Sequence, residues 1–140
     1  SKGSIRIGSK IFGDGYILAP MYKMLIEGYT DLAAVTKTGL GGTKIVFDAL
    51  TNNQIDMYPE YTGTGLLVIL QTPQQVTDSI ISDSKKVYDY VSAGFERQYG
   101  IKWLKPIGFN NTYALMMRKE EAAGLHIRSI SEFTNYVNKQ

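Results

Sequence analysis

The chain has 140 residues, 44% hydrophobic and 20% charged, an ordinary globular balance with enough length to bury a core. Its net charge of +2, carried by scattered Lys and Arg, excludes a nucleic-acid or anionic-membrane surface as the organising feature. With no cysteine there is neither a disulfide framework nor thiolate chemistry, and no apolar run is long enough for a membrane span, since residues 65–70 stop at Gln71.

Alternation in Ile5-Arg6-Ile7-Gly8 predicts a first strand over residues 5–9. Ile17, Met21, Met24 and Leu25 fall at helical spacing and predict a helix over 16–27, with Asp14 as its cap and Gly28 at its end. Pro20 conflicts with that pattern, so the helix is expected to kink there or to begin only near Ala19. Residues 32–36 read as a second strand. The turn Gly39-Leu40-Gly41-Gly42-Thr43 then opens a helix whose apolar stripe is Ile45, Val46, Ala49 and Leu50. A third short strand is expected at 55–58. This β-α-β-α-β order predicts the start of a doubly wound, mostly parallel α/β sheet.

Residues 66–70 read as one or two apolar helical turns, and 73–82 as a polar loop. The clearest helix is 83–99, with Val87, Val91 and Phe95 on one face and Gly100 at its end. Strands are expected at 101–104 and 114–117. Ser129 and Glu132 have capping-box spacing and start a last helix with Ile130, Phe133 and Val137 on one face. A boundary is expected near Gly108, dividing the chain into 1–108 and 109–140.

Ligands of open α/β sheets bind at the carboxyl ends of the strands. The stretch Ile55-Asp56-Met57-Tyr58-Pro59-Glu60-Tyr61-Thr62-Gly63-Thr64-Gly65 brings two tyrosines, hydroxyls and glycines to such a place. Two readings are open: a turn whose Pro and Gly set dihedrals, or a ligand surface with an aromatic face and free backbone donors. The turn at 39–43 lacks the Lys-Ser/Thr ending of a phosphate loop, so a plain capped turn is favoured over an anion site.

His126 is the sole imidazole and has no ligand-spaced neighbours, so no metal is expected. No nucleophile is partnered with a base, so neither an enzyme nor a cofactor is expected. Asp56 and Glu60 suit salt bridges better than a catalytic pair. Ten tyrosines are the oddity of the composition. Converging tyrosine rings hold quaternary ammonium groups, each ring contributing ~1 kcal/mol. For Tyr61 and Tyr113, such a cage and plain core packing stand as equal alternatives, whereas Tyr58 is expected to point into the sheet.

Four segments, Gly8-Ser9-Lys10-Ile11-Phe12, Gly39-Leu40-Gly41-Gly42-Thr43, residues 55–64 and Asn110-Asn111-Thr112-Tyr113-Ala114-Leu115, occur in this order with fitting spacing. Together they resemble the substrate-binding proteins of osmoprotectant importers of the ATP-binding-cassette (ABC) class, which bind glycine betaine, choline or carnitine. The resemblance covers nearly the whole chain, and Tyr58-Pro59-Glu60-Tyr61-Thr62-Gly63-Thr64 is its specific segment. It implies a periplasmic-binding-protein-like (type II) α/β fold. In that fold two lobes close by a hinge on a trimethylammonium compound in a tyrosine box. This chain is expected to be the first lobe plus the beginning of the second.

The resemblance makes Tyr61 the box member of the first lobe and Tyr113 the member at the entry to the second. Thr64, Asn111 and Thr43 are the implied polar contacts, with Ser9 and Gly42 of the same motifs beside the ligand. A Glu-Gln pair common in the family is replaced by Asp14 and Gly15, so a polar contact is lost and extra room is expected at Gly15. Such room admits a bulkier betaine such as ergothioneine.

The implied partners are an ABC permease and ATPase, the permease separate or fused, with the binding domain outside the cytoplasm. The amino end Ser1-Lys2-Gly3-Ser4 has no apolar signal region, so any export signal is expected to have been removed. Family proteins are about twice as long, which leads to the expectation of a truncated chain that pairs with a second copy or a complementing fragment. The alternative from another class is a sensory or regulatory module built on the same fold.

Overall fold

The computed structural model of the chain describes residues 2–140, which divide after Leu104 into two compact units, the second being Lys105–Gln140. In the first unit β1 (Ser4–Gly8) pairs in parallel with β2 (Ala33–Lys37), placing Ile7 opposite Thr36. Parallel neighbours need a long crossover, which α1 (Gly13–Tyr29) supplies. Ala19 of α1 is fully buried against Ile7 and Ala34, and Ile5, Tyr22, Ile26 and Met57 pack around that contact. Two alanines at the seam let helix and sheet approach closely.

Helix α1 runs unbroken through Pro20, neither starting there nor splitting there. Pro20 lies exposed, next to the fully buried Ala19. A carbonyl that loses its helical donor costs less on a wet face than in a core. Asp14 sits in the first turn instead of at the cap, a position taken by Phe12.

The third strand expected at 55–58 shrinks to one parallel bridge between Ile7 and Met57. The backbone N–H groups of Asp56 (2.8 Å) and Met57 (3.3 Å) donate to the Arg6 carbonyl, and Gly8 N–H donates to the Met57 carbonyl at 2.8 Å. Pro59, two residues on, has no N–H with which to continue the ladder. Helix α2 (Thr43–Thr51) lies beside this pairing and buries Val46 and Ala49 against Ile55.

After Tyr61 the chain makes a single turn, α3 (Thr62–Thr64), and widens into a π-helical turn, Gly65–Ile69. The Leu70 N–H reaches back five residues to the Gly65 carbonyl at 2.9 Å. Residues 73–82 are no loop: α4 (Gln74–Ile80) stands there. Its polar sequence hides the helix, which starts after Pro73 and carries an i,i+4 hydrogen bond from Gln74 to Asp78 at 2.7 Å.

Helix α5 (Ser84–Tyr99) follows as expected. The Asp83 carboxylate accepts the Lys85 and Lys86 N–H groups, and Gly100 takes the left-handed conformation at φ 64°. Its face, Val87, Val91 and Phe95, joins Leu66 in the third cluster, with Phe47 and Trp103 packed alongside. Phe47, Phe95, Tyr99 and Trp103 meet edge to face, with ring centres 5.0–5.8 Å apart.

Residues 101–104 form no strand. Their alternation is real, since Ile101 and Trp103 turn toward the aromatic cluster, but no strand lies beside them. The Trp103 carbonyl instead accepts the Tyr88 hydroxyl at 3.1 Å.

The second unit contains α6 (Lys119–Gly124), which the sequence reading missed, and α7 (Ile130–Asn138). The Ser129 hydroxyl accepts Glu132 N–H at 3.1 Å, while the Glu132 carboxylate accepts the N–H of Arg128, one residue earlier than in an ideal capping box. The strand expected at 114–117 is absent: Leu115 and Met116 are exposed and have no strand beside them. Among the described residues no helix is long and apolar enough to cross a membrane.

Two outcomes follow from this packing. A Cβ at Gly65 would lie 2.9 Å from the Trp103 ring and 3.0 Å from Val91. Gly65→Ala should therefore lower stability by about 1–3 kcal/mol in urea denaturation followed by the fluorescence of Trp103.

The second concerns Asp56, whose carboxylate accepts Arg6 Nε (3.0 Å), Nη2 (2.9 Å) and backbone N–H (2.7 Å). These bonds, the side-chain ones foremost, hold its pKa at about 2. An unfolded Asp titrates near 4, so the folded state binds fewer protons between about pH 4 and 2. The stabilisation is complete above that window and is lost as pH falls through it. The effect is small because the pair is partly exposed. Asp56→Asn should flatten this limb of a pH series of denaturation midpoints.

Candidate functional site

The carboxyl ends of β1 and β2, the first turn of α1, the amino end of α2 and the segment 58–64 converge on one edge of the first unit. Ser9, just past β1, is fully buried. Its N–H donates to the Lys37 carbonyl (3.1 Å), its carbonyl accepts Leu40 N–H (3.0 Å), and its hydroxyl accepts Gly39 N–H (3.3 Å). Ser9 thus ties the end of β1 to the glycine-rich turn and has no surface left for a ligand. Gly39 is left-handed at φ 66°, and any side chain there would run into the Tyr16 hydroxyl.

Lys10, the next residue, sends its ammonium inward. Nζ donates to Glu60 Oε1 at 2.6 Å and to Thr43 Oγ1 at 2.9 Å. The Lys10 and Glu60 side chains are only 10% and 5% exposed, so this is a buried ion pair. Glu60 is saturated further: Oε1 accepts Tyr61 N–H (2.9 Å) and Oε2 accepts the Tyr58 hydroxyl (3.0 Å). Burial first, and the charge of Glu60 second, push the Tyr58 hydroxyl far above its usual pKa, so it remains a donor. Tyr58 packs on the Val46–Ala49–Ile55 cluster, pointing inward as its place in the sequence implied.

Tyr61 is half-buried, with its hydroxyl donating to Asp14 Oδ2. Asp14 Oδ1 accepts the N–H of Gly15 at 3.0 Å. The edge thus holds the buried ion pair of Lys10 and Glu60, with the carboxylate of Asp14 half-buried beside Tyr61.

The room expected at Gly15 does not exist. A Cβ there would lie 2.9 Å from the Ser9 side chain and 3.3 Å from the Lys10 carbonyl, so the missing side chain is replaced by close packing of α1 on β1. Open space lies instead above Gly42 and Gly63, where an added Cβ meets nothing. Gly42 and Thr43 open α2, and Tyr61 and Thr64 flank Gly63; all four are half-buried. Asn111 and Tyr113 belong to the second unit, and both are exposed.

Lys10, Asp14 and Glu60 were missed as site residues. The available signal was Lys10 itself, a charge directly following an apolar strand, which requires a partner when buried. A cavity of about 460 Å³ elsewhere, lined by Leu40, Ile45, Ala49, Ile55, Arg6 and Lys37, is a shallow groove whose cations are already engaged with Asp56 and the Gln54 carbonyl. Among the described residues no three His, Asp or Glu side chains gather as metal ligands.

Removing one partner of the buried pair strands the other. Lys10→Met should destabilise the protein by about 3–5 kcal/mol, as for other broken buried pairs. In a double-mutant cycle measured by urea denaturation, Lys10→Met with Glu60→Gln should fall well short of the sum of the single losses.

Comparison with known proteins places this geometry. Residues 3–140 match the family model for the substrate-binding domain of ABC-type glycine betaine transport systems. The chain is 35% identical over 137 residues to a glycine-betaine-binding protein of Pseudomonas aeruginosa, covering 98% of this chain and 41% of the relative. It is 31% identical over 140 residues to the carnitine transport binding protein OpuCC of Listeria monocytogenes, covering 99% and 44%. The crystal structure of a glycine betaine/carnitine/choline ABC transporter superposes with a TM-score of 0.72 at 26% identity, over 95% of this chain and 47% of that one. The chain thus spans less than half the length of these relatives, and it shares their periplasmic-binding-protein-like α/β fold. On a match that runs from residue 3 to residue 140, the chain belongs to the family of substrate-binding domains of ABC-type glycine betaine transport systems.

Proposed function

We propose that this chain recognises a quaternary ammonium compound outside the cytoplasm and delivers it to the permease and ATPase of an ABC importer. The observation that carries the reading is Tyr61. Its backbone is fixed by Glu60 and its hydroxyl by Asp14, at the edge where Gly42 and Gly63 leave space. In this reading the phenol ring, held at both ends, meets a trimethylammonium group at little entropic cost. The carboxylate of Asp14 favours cations there, and the relatives named above bind glycine betaine and carnitine.

In this reading Thr43, Thr64 and the amino end of α2 contact the ligand's other end. Asn111 and Tyr113, of the second unit, are further ligand contacts in this reading. Ser9 and Gly15 act from behind, by setting the turn and the approach of α1. No grouping of nucleophile and base accompanies the ring, so the role is binding and release, not turnover.

Calorimetric titration of the full-length protein with choline, glycine betaine and carnitine tests this. Tyr61→Ala should cost about 1–2 kcal/mol in affinity, whereas Tyr61→Phe, which keeps the ring, should stay within about threefold of the parent. Equal and negligible effects of both substitutions would return Tyr61 to a packing role.

A further inference from the structure

We infer that Tyr58 is a positioning residue for ligand binding: acting through Glu60, it sets the peptide plane that carries Tyr61. The inference rests on Tyr61 meeting the ligand, as proposed above, and gives a part in binding to a side chain that packs inward.

Three observations carry it. The Tyr58 ring packs on Val46, Ala49 and Ile55, so its hydroxyl is presented from a fixed place in the core. That hydroxyl donates to Glu60 Oε2 at 3.0 Å, while Glu60 Oε1 accepts the Tyr61 N–H at 2.9 Å. Pro59, between the two tyrosines, has a ring-fixed φ and no N–H, which leaves the intervening backbone few alternatives.

The two oxygens of a carboxylate share one plane, and rotation of that plane is soft in glutamate. Held at one oxygen it pivots; held at both it does not. The Lys10 ammonium, 2.6 Å from Oε1, does not supply the second hold, because it ends a flexible stem with rotatable donors and follows the oxygen. Tyr58 cannot follow. Its ring belongs to the core, so its hydroxyl decides where Oε1 stands, and Oε1 decides how the Tyr61 peptide is turned. Burial and the charge of Glu60 keep that hydroxyl protonated, so the donor is always present. Asp14 holds the Tyr61 hydroxyl at the far end of the same residue. With the backbone end released, the ring would be free to swing about that point.

Calorimetric titration of the full-length protein with choline and with glycine betaine decides it. Tyr58→Phe keeps the ring in the core and deletes only the hydroxyl. It should weaken each ligand the parent binds by between about threefold and about tenfold. In a Tyr61→Ala background the same substitution should change no affinity, since no ring is left to position. An amino group in place of the hydroxyl, as p-aminophenylalanine at position 58, keeps a donor and should restore most of the affinity. Asp56→Asn, which removes the pairing with Arg6 in the same segment, should leave the affinities unchanged. In ¹H–¹⁵N spectra of the ligand-free protein, the Tyr61 N–H signal should move on Tyr58→Phe. Affinities unchanged by Tyr58→Phe, or weakened equally with and without the Tyr61 ring, would overturn the inference while leaving the proposed function intact. If Tyr58→Phe does not fold, Glu60→Gln stands in, since its amide has one acceptor oxygen where the carboxylate has two, and the same two outcomes overturn the inference there. A parent that binds neither ligand would overturn the proposed function itself, and the inference with it.

Discussion

The arrangement depends on one buried charge pair. Lys10 leaves the sheet edge pointing inward, and Glu60, fifty positions along the chain, arrives to meet it at 2.6 Å. Taking two charges out of water is costly, and the attraction offsets that cost only when the remaining donors and acceptors are filled. Here they are filled by Thr43, Tyr58 and the backbone of Tyr61. Thr43 comes from the start of α2, and Tyr58 and Tyr61 from the segment that carries Glu60. The pair forms only when the end of β1, the start of α2 and the segment before α3 are all in register. Tyr61 inherits its position from this requirement.

The same edge explains how glycine is used. Gly39 and Gly41 carry left-handed or extended positive φ values that seat the turn under Tyr16 and Ile45. Gly15 and Gly8 admit close neighbours, Ser9 and Ile55. Gly13, Gly42 and Gly63 have no neighbour where a Cβ would stand. Closely packed glycines behind and open glycines in front give the edge a rigid back and an accessible face, the combination a binding site requires.

Much of this was legible in the sequence, and the failures have physical causes. The parallel start of the sheet, the apolar face of α5 and its stop at Gly100 were readable because periodicity and capping are local. The convergence of these segments at the carboxyl ends of the strands followed from topology. Pro20 misled because helix propensity is a local score, whereas a buried Ala19 on an exposed Pro20's flank holds the helix through tertiary packing. Residues 73–82 misled in the opposite sense, since few apolar side chains mark α4. Residues 101–104 were expected as a strand and form none, because a single segment's pattern says nothing about whether a neighbour exists. Gly15 was read as vacancy, but the place a missing side chain leaves can be filled by the backbone that moves in. Lys10 and Glu60 became a pair only in three dimensions.

The π-helical turn at Gly65–Ile69 has a consequence for sequence length. A π turn holds one more residue than an α turn, so the segment behaves like a helix that has absorbed a single insertion. A homologous chain shorter by one residue there would keep its Tyr61 end unchanged and wind as an ordinary helix. Everything beyond would then rotate by about 100°. Leu70, whose methyl now lies 2.9 Å from where a Cβ of Gly94 would be, would leave that groove, and a larger residue would fit at position 94. The length of this turn and the size of residue 94 should therefore vary together among relatives.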